Sequence, residues 1–319
     1  MKIGQDNGYN ATKIVTEGRR AHFPSVVGTP TRAAFSVNGH ADEIRISAAG
    51  QTWLVGDSAV NQSRFLVRRE DRNWVESDEY YVITLAGMSE LTTASVEVQL
   101  VTGLPVAYFS DHRNLKRRLM GEHKFQRAGR NAQTVRISDV RVVPQPFGAL
   151  LNEALDQRGA LTNTEYTGRV GVIDIGGKTT NLLSASKLAE VPNETTSINL
   201  GGWDIIRQLR DHLSEAIPGL ELRDHELAAV LQARGVKVAG EWVDLPGLSA
   251  IIEPMADQVL ATARQLWGSA LKLDVILIAG GGAHLIGPHL QLRFKQARVV
   301  EHPVYANATG FWKLAQRLG

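Results

Sequence analysis

Short apolar or alternating runs open the chain, separated by polar and glycine-containing turns. Residues 3–5, 10–15, 21–27, 42–47 and 52–55 are such runs, and together they predict a β-meander. The period then lengthens. Val82, Leu85, Ala86, Leu91 and Ala94 recur at helical spacing and predict a helix over 78–95. VEVQLVTGLPV (96–106) predicts a strand that stops at Gly-Leu-Pro. SDHRNLKRRLMGE (110–122) predicts a short amphipathic helix, with Ser110 as N-cap and Leu115 and Leu119 as its apolar stripe. Residues 133–143 alternate as strands, and PQPFGALLNEALDQRG turns at its prolines into a helix.

A polar, glycine-containing stretch at 156–168 marks the predicted boundary. Beyond it come a strand-turn-strand at 170–184 and helices at 201–213, 224–234 and 248–268. LDVILIAGGGAHLIG (273–287) predicts a buried strand, a glycine turn and a helix start, and ATGFWKLAQRL a closing helix. Strands then helices, twice, after similar opening hairpins, point to duplication of one α/β unit.

Composition narrows the classes. With 319 residues the chain is long enough for two packed units. A net charge of +2 gives no field favouring nucleic acid or an anionic membrane. The absence of cysteine excludes disulfides and thiolate metal sites. MKIGQDNGYN turns polar by its fifth residue, unlike a signal peptide, and VILIAGGGA is too short to span a bilayer. A cytoplasmic protein with no membrane partner is expected.

The repeated hairpins carry the candidate chemistry. IGQDNGYNATKIV (3–15) and VIDIGGKTTNLL (172–183) both place an Asp-x-Gly after an apolar run, so Asp6 and Asp174 are equivalent. Gly8 is free to take positive φ and leaves room for a phosphate to approach backbone N–H groups. A carboxylate so close to phosphate implies an intervening cation, Mg²⁺ with several waters, and Lys13 can reach the phosphates as a point charge. Taken alone, Asp-Asn-Gly is equally an ordinary hairpin turn. The second copy adds Gly176, Gly177, Thr179 and Thr180, whose hydroxyls can donate to phosphate. Gly280-Gly281-Gly282, between a strand and a helix, sets bare backbone and a helix N-terminus beside a ligand. It is not G-x-G-x-x-G, and no P-loop motif occurs. Gln145 is clamped between Pro144 and Pro146; it is a poor base but able to orient a water.

Taken together, these segments resemble the actin, sugar kinase and heat-shock ATPase superfamily. DNGYNATK, VVPQPFGALL, DIGGKTTN, LIAGGGAHLI and NATGFWKLA stand in the order of its phosphate-1, connect-1, phosphate-2, adenosine and connect-2 signatures. Within it, TGLPVAYF, RNLKRRLMGEH and VRISDVRVVPQP look most like the ParM/StbA group of plasmid-segregation actins and their archaeal relatives. The resemblance implies an α/β fold of two similar actin-like (ribonuclease H-like) subdomains flanking a nucleotide cleft. Residues 1–164 with the closing helix 305–319 would form one and 165–304 the other. It implies ATP or GTP with Mg²⁺ held through water by Asp6 and Asp174. Gly8, Asn10, Thr12, Lys13, Gly176, Gly177 and Thr179 would grip phosphates, Gln145 would place the attacking water, and Gly280, Gly281 and Gly282 would line the adenosine. It further implies a head-to-tail filament moving plasmid DNA through a DNA-binding adaptor protein, without direct sequence-specific contact to nucleic acid. A small-molecule kinase of the same superfamily, or a non-motor assembly scaffold, is the alternative.

Tyr9 stands where many actins have Ser or Thr, and Lys178 and Asn181 also depart from the pattern. The basic stretch Arg113, Lys116, Arg117, Arg118, Lys124, Arg127 and Arg130 reads as a solvated face or a subunit contact. Trp203, Trp242, Trp267 and Trp312 read as core or interface anchors, and seven histidines, from His112 to His302, as ordinary residues. Arg223, Asp224 and Glu226 fall near the expected ribose segment.

Overall fold

The computed structural model describes residues 1–30, 43–48, 50–69, 71–245 and 247–318. The start of the run expected at 42–47 therefore lies outside the described residues.

The first half contains β1 (Lys2–Asn7), β2 (Ala11–Thr16), β3 (Arg19–Pro24), β4 (Val27–Gly28), β5 (Arg45–Ala48), β6 (Gln51–Val55), α1 (Asp57–Gln62), β7 (Leu66–Val67), α2 (Asp78–Leu91), β8 (Val96–Leu104), α3 (His112–Leu119), β9 (Gly121–Arg127), β10 (Ala132–Pro144) and α4 (Gln145–Ala154). The second contains β11 (Arg169–Ile175), β12 (Thr180–Ser186), β13 (Ala189–Glu190), β14 (Thr196–Ile198), α5 (Gly202–Ala216), α6 (Asp224–Ala233), β15 (Gly235–Val238), β16 (Glu241–Asp244), α7 (Leu248–Trp267), β17 (Val275–Ala279), α8 (Ala283–Gln291), β18 (Ala297–Val299) and α9 (Ala306–Arg317).

Two sheets share one topology. In the first, β3-β2-β1-β8-β10 run side by side; in the second, β13-β12-β11-β17-β18 do. Each starts as an antiparallel meander, and two parallel strands then extend the other edge. This is the duplicated α/β unit the hairpins predicted. The first sheet continues through β9-β5-β6-β4-β7, while the second half instead carries α5 to α7 and the β15–β16 hairpin.

Strand alternation sends side chains to opposite faces. In the first sheet Ile3, Ile14, Val98 and Leu100 pack with Tyr80, Ile83 and Met88 of α2. Val15 and Val101 face the other way, against Ala308, Phe311 and Trp312 of α9. In the second, Ile173, Ile175 and Leu182 join α5, α7 and α8, whereas Val170, Val172 and Leu183 pack on α4. So α4 and α9 lie between the sheets. They cross at glycines: a Cβ on Gly310 would sit 1.8 Å from the Gly148 carbonyl oxygen, a distance no side chain tolerates.

Several expected boundaries differ. α2 stops at Leu91, because Thr92 is extended and its hydroxyl bonds back to the Met88 carbonyl at 2.9 Å. Ala94 is thus outside it. Residues 106–111 form a 3₁₀ turn, so Ser110 is not a cap and α3 is shorter than expected. Gly121, at φ +115°, reverses the chain into β9, a strand the basic composition concealed. Residues 132–144 are one strand, irregular between Ile137 and Asp139. The basic stretch is partly internal. Arg127 is buried and pairs with Glu90, and Arg130 donates to the carbonyls of Ser89 and Thr92. Trp242 is exposed, not a core anchor.

Candidate functional site

The two hairpins are built alike. In β1–β2, Asn7 pairs with Thr12 across the turn segment 8–11, whose last residue, Ala11, also begins β2; in β11–β12, Ile175 pairs with Thr180 across the segment 176–179. The first residue of each loop donates its N–H to the carbonyl of the fourth, Gly8 to Ala11 at 3.2 Å and Gly176 to Thr179 at 2.9 Å. A two-residue turn through Asn7-Gly8 would need both at positive φ. The wider loop removes that need, and Gly8 is not among the positive-φ residues. It is glycine for space: a Cβ there would come within 3.1 Å of the Ala11 oxygen and 3.4 Å of Lys13 Nζ.

One residue before each loop-flanking pair stands a buried carboxylate. Asp6 pairs across the ladder with Lys13, whose Nζ lies 3.8 Å from Asp6 Oδ2; Gln145, first residue of α4, donates Nε2 to Asp6 Oδ1 at 2.9 Å. Asp174 pairs across with Asn181, and its Oδ2 accepts from Asn307 Nδ2 at 2.9 Å. Burial, then the charge of Asp6, pushes the Asp174 carboxyl up to about 6, against the smaller opposing pull of Asn307, Lys13 and Asn181.

Two buried carboxylates close enough to feel each other, with the Lys13 ammonium 3.8 Å from one of them, form a donor set that attracts a cation. Hard oxygens close behind the wall of a cleft suit Mg²⁺, which keeps waters and takes one or two carboxylates plus substrate phosphates. Among the described residues no cluster of three acidic or imidazole side chains forms a protein-only cage. The residues present therefore fit Mg²⁺ bound largely through water and ligand oxygens.

A cleft of about 920 Å³ opens between the two halves; both carboxylates are buried behind its wall, which Lys13, the partner of Asp6, and Gly176, two residues beyond Asp174, help to line. Asn10, Lys13, Gly176, Gly177, Gly281 and Gly282 line it. Gly177 touches the opposite wall, since a Cβ there would meet Asn10 Cβ at 2.5 Å. Gly280, at φ +88°, is packed beneath: a Cβ would strike the Ile175 oxygen at 2.4 Å and Asp174 Oδ1 at 2.6 Å. Gly281 has nothing against its Cβ position and leads into α8, whose N-terminal residues border the cleft. Thr179 is buried at the loop's end. Thr12 points away from the cleft, its hydroxyl 2.9 Å from that of Ser25. Tyr9 is buried against Trp74, and the Lys178 ammonium lies over its ring at 5.1 Å.

Other residues reach the cleft without a motif to announce them. Trp203 donates Nε1 to Asn10 Oδ1 at 3.0 Å, and Arg68 stacks over its indole while pairing with Asp224 at 3.1 Å. Arg68, Trp203, Arg223 and Asp224 thus bridge the mouth. Glu226 is a helix cap, accepting from the Arg223 N–H at 2.7 Å. His22 and His284 also line the cleft; burial and Lys13 lower the His22 pKa. Asn307, in the segment NATGFWKLA, carries no reactive group of its own and reaches the site only through its hydrogen bond to Asp174.

Residues 4–148 match the family model of the actin like proteins N terminal domain, and residues 172–292 that of the archaeal actin homologue MreB-like, C-terminal. No curated protein matches the chain. An archaeal actin homolog solved in complex with ADP superposes with a TM-score of 0.83 at 20% identity, with 99% of each chain covered. The 15-stranded ParM filament from Clostridium botulinum gives 0.81 at 22% identity, again with 99% of each chain covered. The actin-like protein Alp7A gives 0.80 at 15% identity, covering 99% of this chain and 96% of that one. At such identities these likenesses establish the fold. Among the described residues no helix is long and apolar enough to cross a membrane.

Proposed function

The chain belongs to the actin-like proteins, and from that premise we propose that it is a nucleotide-dependent, filament-forming ATPase. The observation that carries the reading is the pair of matching hairpins, whose loops line opposite walls of one cleft and whose two buried carboxylates feel each other's charge behind them. Residues 1–164 with 305–319 form one subdomain and 165–304 the other, and ATP or GTP binds between them.

In this reading the loops at 8–11 and 176–179 offer backbone N–H groups to the phosphates, with Lys13 as the point charge. Asp6 and Asp174 would hold Mg²⁺ through water, and the ion would supply positive charge to the phosphate oxygens. Gln145 orients the attacking water while Lys13 and the backbone donors stabilise the charge that develops. An amide at that place suits water better than the deprotonation of a sugar hydroxyl, which disfavours the small-molecule kinase. Nucleotide contacts on both walls favour the closed cleft, closure favours head-to-tail addition of a second copy, and hydrolysis weakens it. Segregation of plasmid DNA in the cytoplasm, through an adaptor protein, is the use this supports.

The test is sedimentation and light scattering with ATP, ADP and no nucleotide, beside phosphate release. ATP-dependent pelleting and turnover are expected, both lost in Asp174→Ala. Turnover that requires an added sugar or acid would overturn the filament reading, and unchanged hydrolysis in Asp174→Ala the metal assignment.

A further inference from the structure

Each of the two hairpin carboxylates is held by a buried side-chain amide, and the proposed chemistry uses only one of those amides. Gln145 opens α4 and reaches Asp6; Asn307, second residue of α9, reaches Asp174 at the same 2.9 Å. In both helices a glycine follows three residues later, and the helices cross there, so near that a Cβ on Gly148 would lie 2.6 Å from Asn307 Cα. The backbone of Asn307 is therefore pinned.

Asn307 also does what Gln145 is not seen to do. Its Oδ1 accepts from the backbone N–H of Ala149 in α4 at 3.1 Å. One buried amide thus commits its nitrogen to the carboxylate of the second sheet and its oxygen to the helix that carries Gln145. A primary amide presents donor and acceptor in one plane; a carboxylate of the same size loses the donor and adds charge beside Asp174.

We propose that Asn307 is a positioning residue of the cleft. It fixes the Asp174 carboxylate in the orientation that receives the cation, and it couples that carboxylate to the helix bearing Gln145. The inference rests on the nucleotide and Mg²⁺ reading above. Partners that orient ligand-holding groups change metal affinity when lost, by roughly 10- to 100-fold.

The experiment is equilibrium binding of a fluorescent ADP analogue, titrated with Mg²⁺ and repeated in EDTA, with thermal melting as the folding control. The proteins are wild type, Asn307→Asp, Asn307→Ala and Asn307→Ser; the last keeps a hydroxyl on the α4 side and is the mildest truncation. The Mg²⁺ midpoint should rise about tenfold or more in folded Asn307→Ala and by less in Asn307→Ser, while in Asn307→Asp the added negative charge offsets part of the rise, and binding in EDTA of the alanine and serine variants changes less than about twofold. A purely structural role would lower melting and leave the midpoint where it was, and that result overturns the proposal. Wild-type binding with no dependence on Mg²⁺ overturns the metal reading first and the proposal with it, so the two failures are told apart.

Discussion

The β1–β2 and β11–β12 hairpins have the same loop length, the same closing hydrogen bond and a carboxylate in the same place. Even the hydroxyl after each loop behaves alike: Thr12 is satisfied by Ser25 and Thr180 by the Leu200 carbonyl. They differ in what stands across from the carboxylate. Asp6 faces Lys13, while Asp174 faces Asn181 and is held by Asn307. An ammonium compensates a buried charge, whereas an amide only solvates it. One carboxylate therefore has an ammonium paired beside it, and the other has amides and only a weaker pull from Lys13 until a ligand brings charge. The fold was duplicated; the electrostatics were not.

Removing that asymmetry gives the largest expected effect. Lys13→Gln leaves both walls with amides and both carboxylates uncompensated. Loss of a hydrogen bond to a charged group costs about 1.5–3 kcal/mol, so ADP affinity should fall roughly 10- to 100-fold. Titration of a fluorescent analogue measures it; an unchanged affinity would mean that Lys13 serves only Asp6.

The second wall should betray itself in the pH dependence of the ligand-free protein. Asp174 titrates near 6 when folded and near 3.8 when unfolded, so the folded state binds more protons in between. Its contribution to stability is favourable at low pH and is lost as pH rises through that window. At about 1.4 kcal/mol per unit, the loss by pH 7 is on the order of 3 kcal/mol at most. His22 works the opposite way, its lowered pKa costing stability as pH falls below its ordinary 6.5. The informative quantity is therefore the difference between wild type and Asp174→Asn in melting scans from pH 5 to 7.5. Asp174→Asn should be the more stable at pH 7.5, with the gap shrinking towards pH 5. Asp6→Asn strips Lys13 of its partner and should give no such gain, and an equal gain in both would erase the distinction between the walls.

The hairpins, the triple glycine and Gln145 were legible because each is a local pattern with a physical reason: a carboxylate at a bend, bare backbone at a helix start, an amide locked by prolines. Arg68, Trp203 and His22 were not, since their place at the cleft depends on where distant strands and helices end up. Asn307 sat in a recognised segment, but its partners Asp174 and Ala149 are more than 130 residues away in sequence. β9 was masked by basic composition, although Phe125 fills the core and its neighbours Lys124 and Gln126 face outward. Thr12 was misplaced by one step of strand alternation. Its neighbours Ala11 and Lys13 line the cleft, which turns Thr12 to the opposite face.

That last point yields the smallest and most discriminating prediction. Thr12→Val keeps the shape of the side chain and removes the hydroxyl, leaving the fully buried Ser25 hydroxyl without its partner. An orphaned buried hydroxyl costs about 1–3 kcal/mol, whereas removing both partners together costs much less. Thr12→Val should therefore melt lower than wild type, and Thr12→Val with Ser25→Ala should recover part of the loss. ADP affinity should stay within about twofold in both, because stability and binding are separated by the face on which the hydroxyl lies. A tenfold loss of affinity in either protein would show instead that Thr12 turns into the cleft when phosphates arrive, and that the two hairpins share a hydroxyl contact as well as a shape.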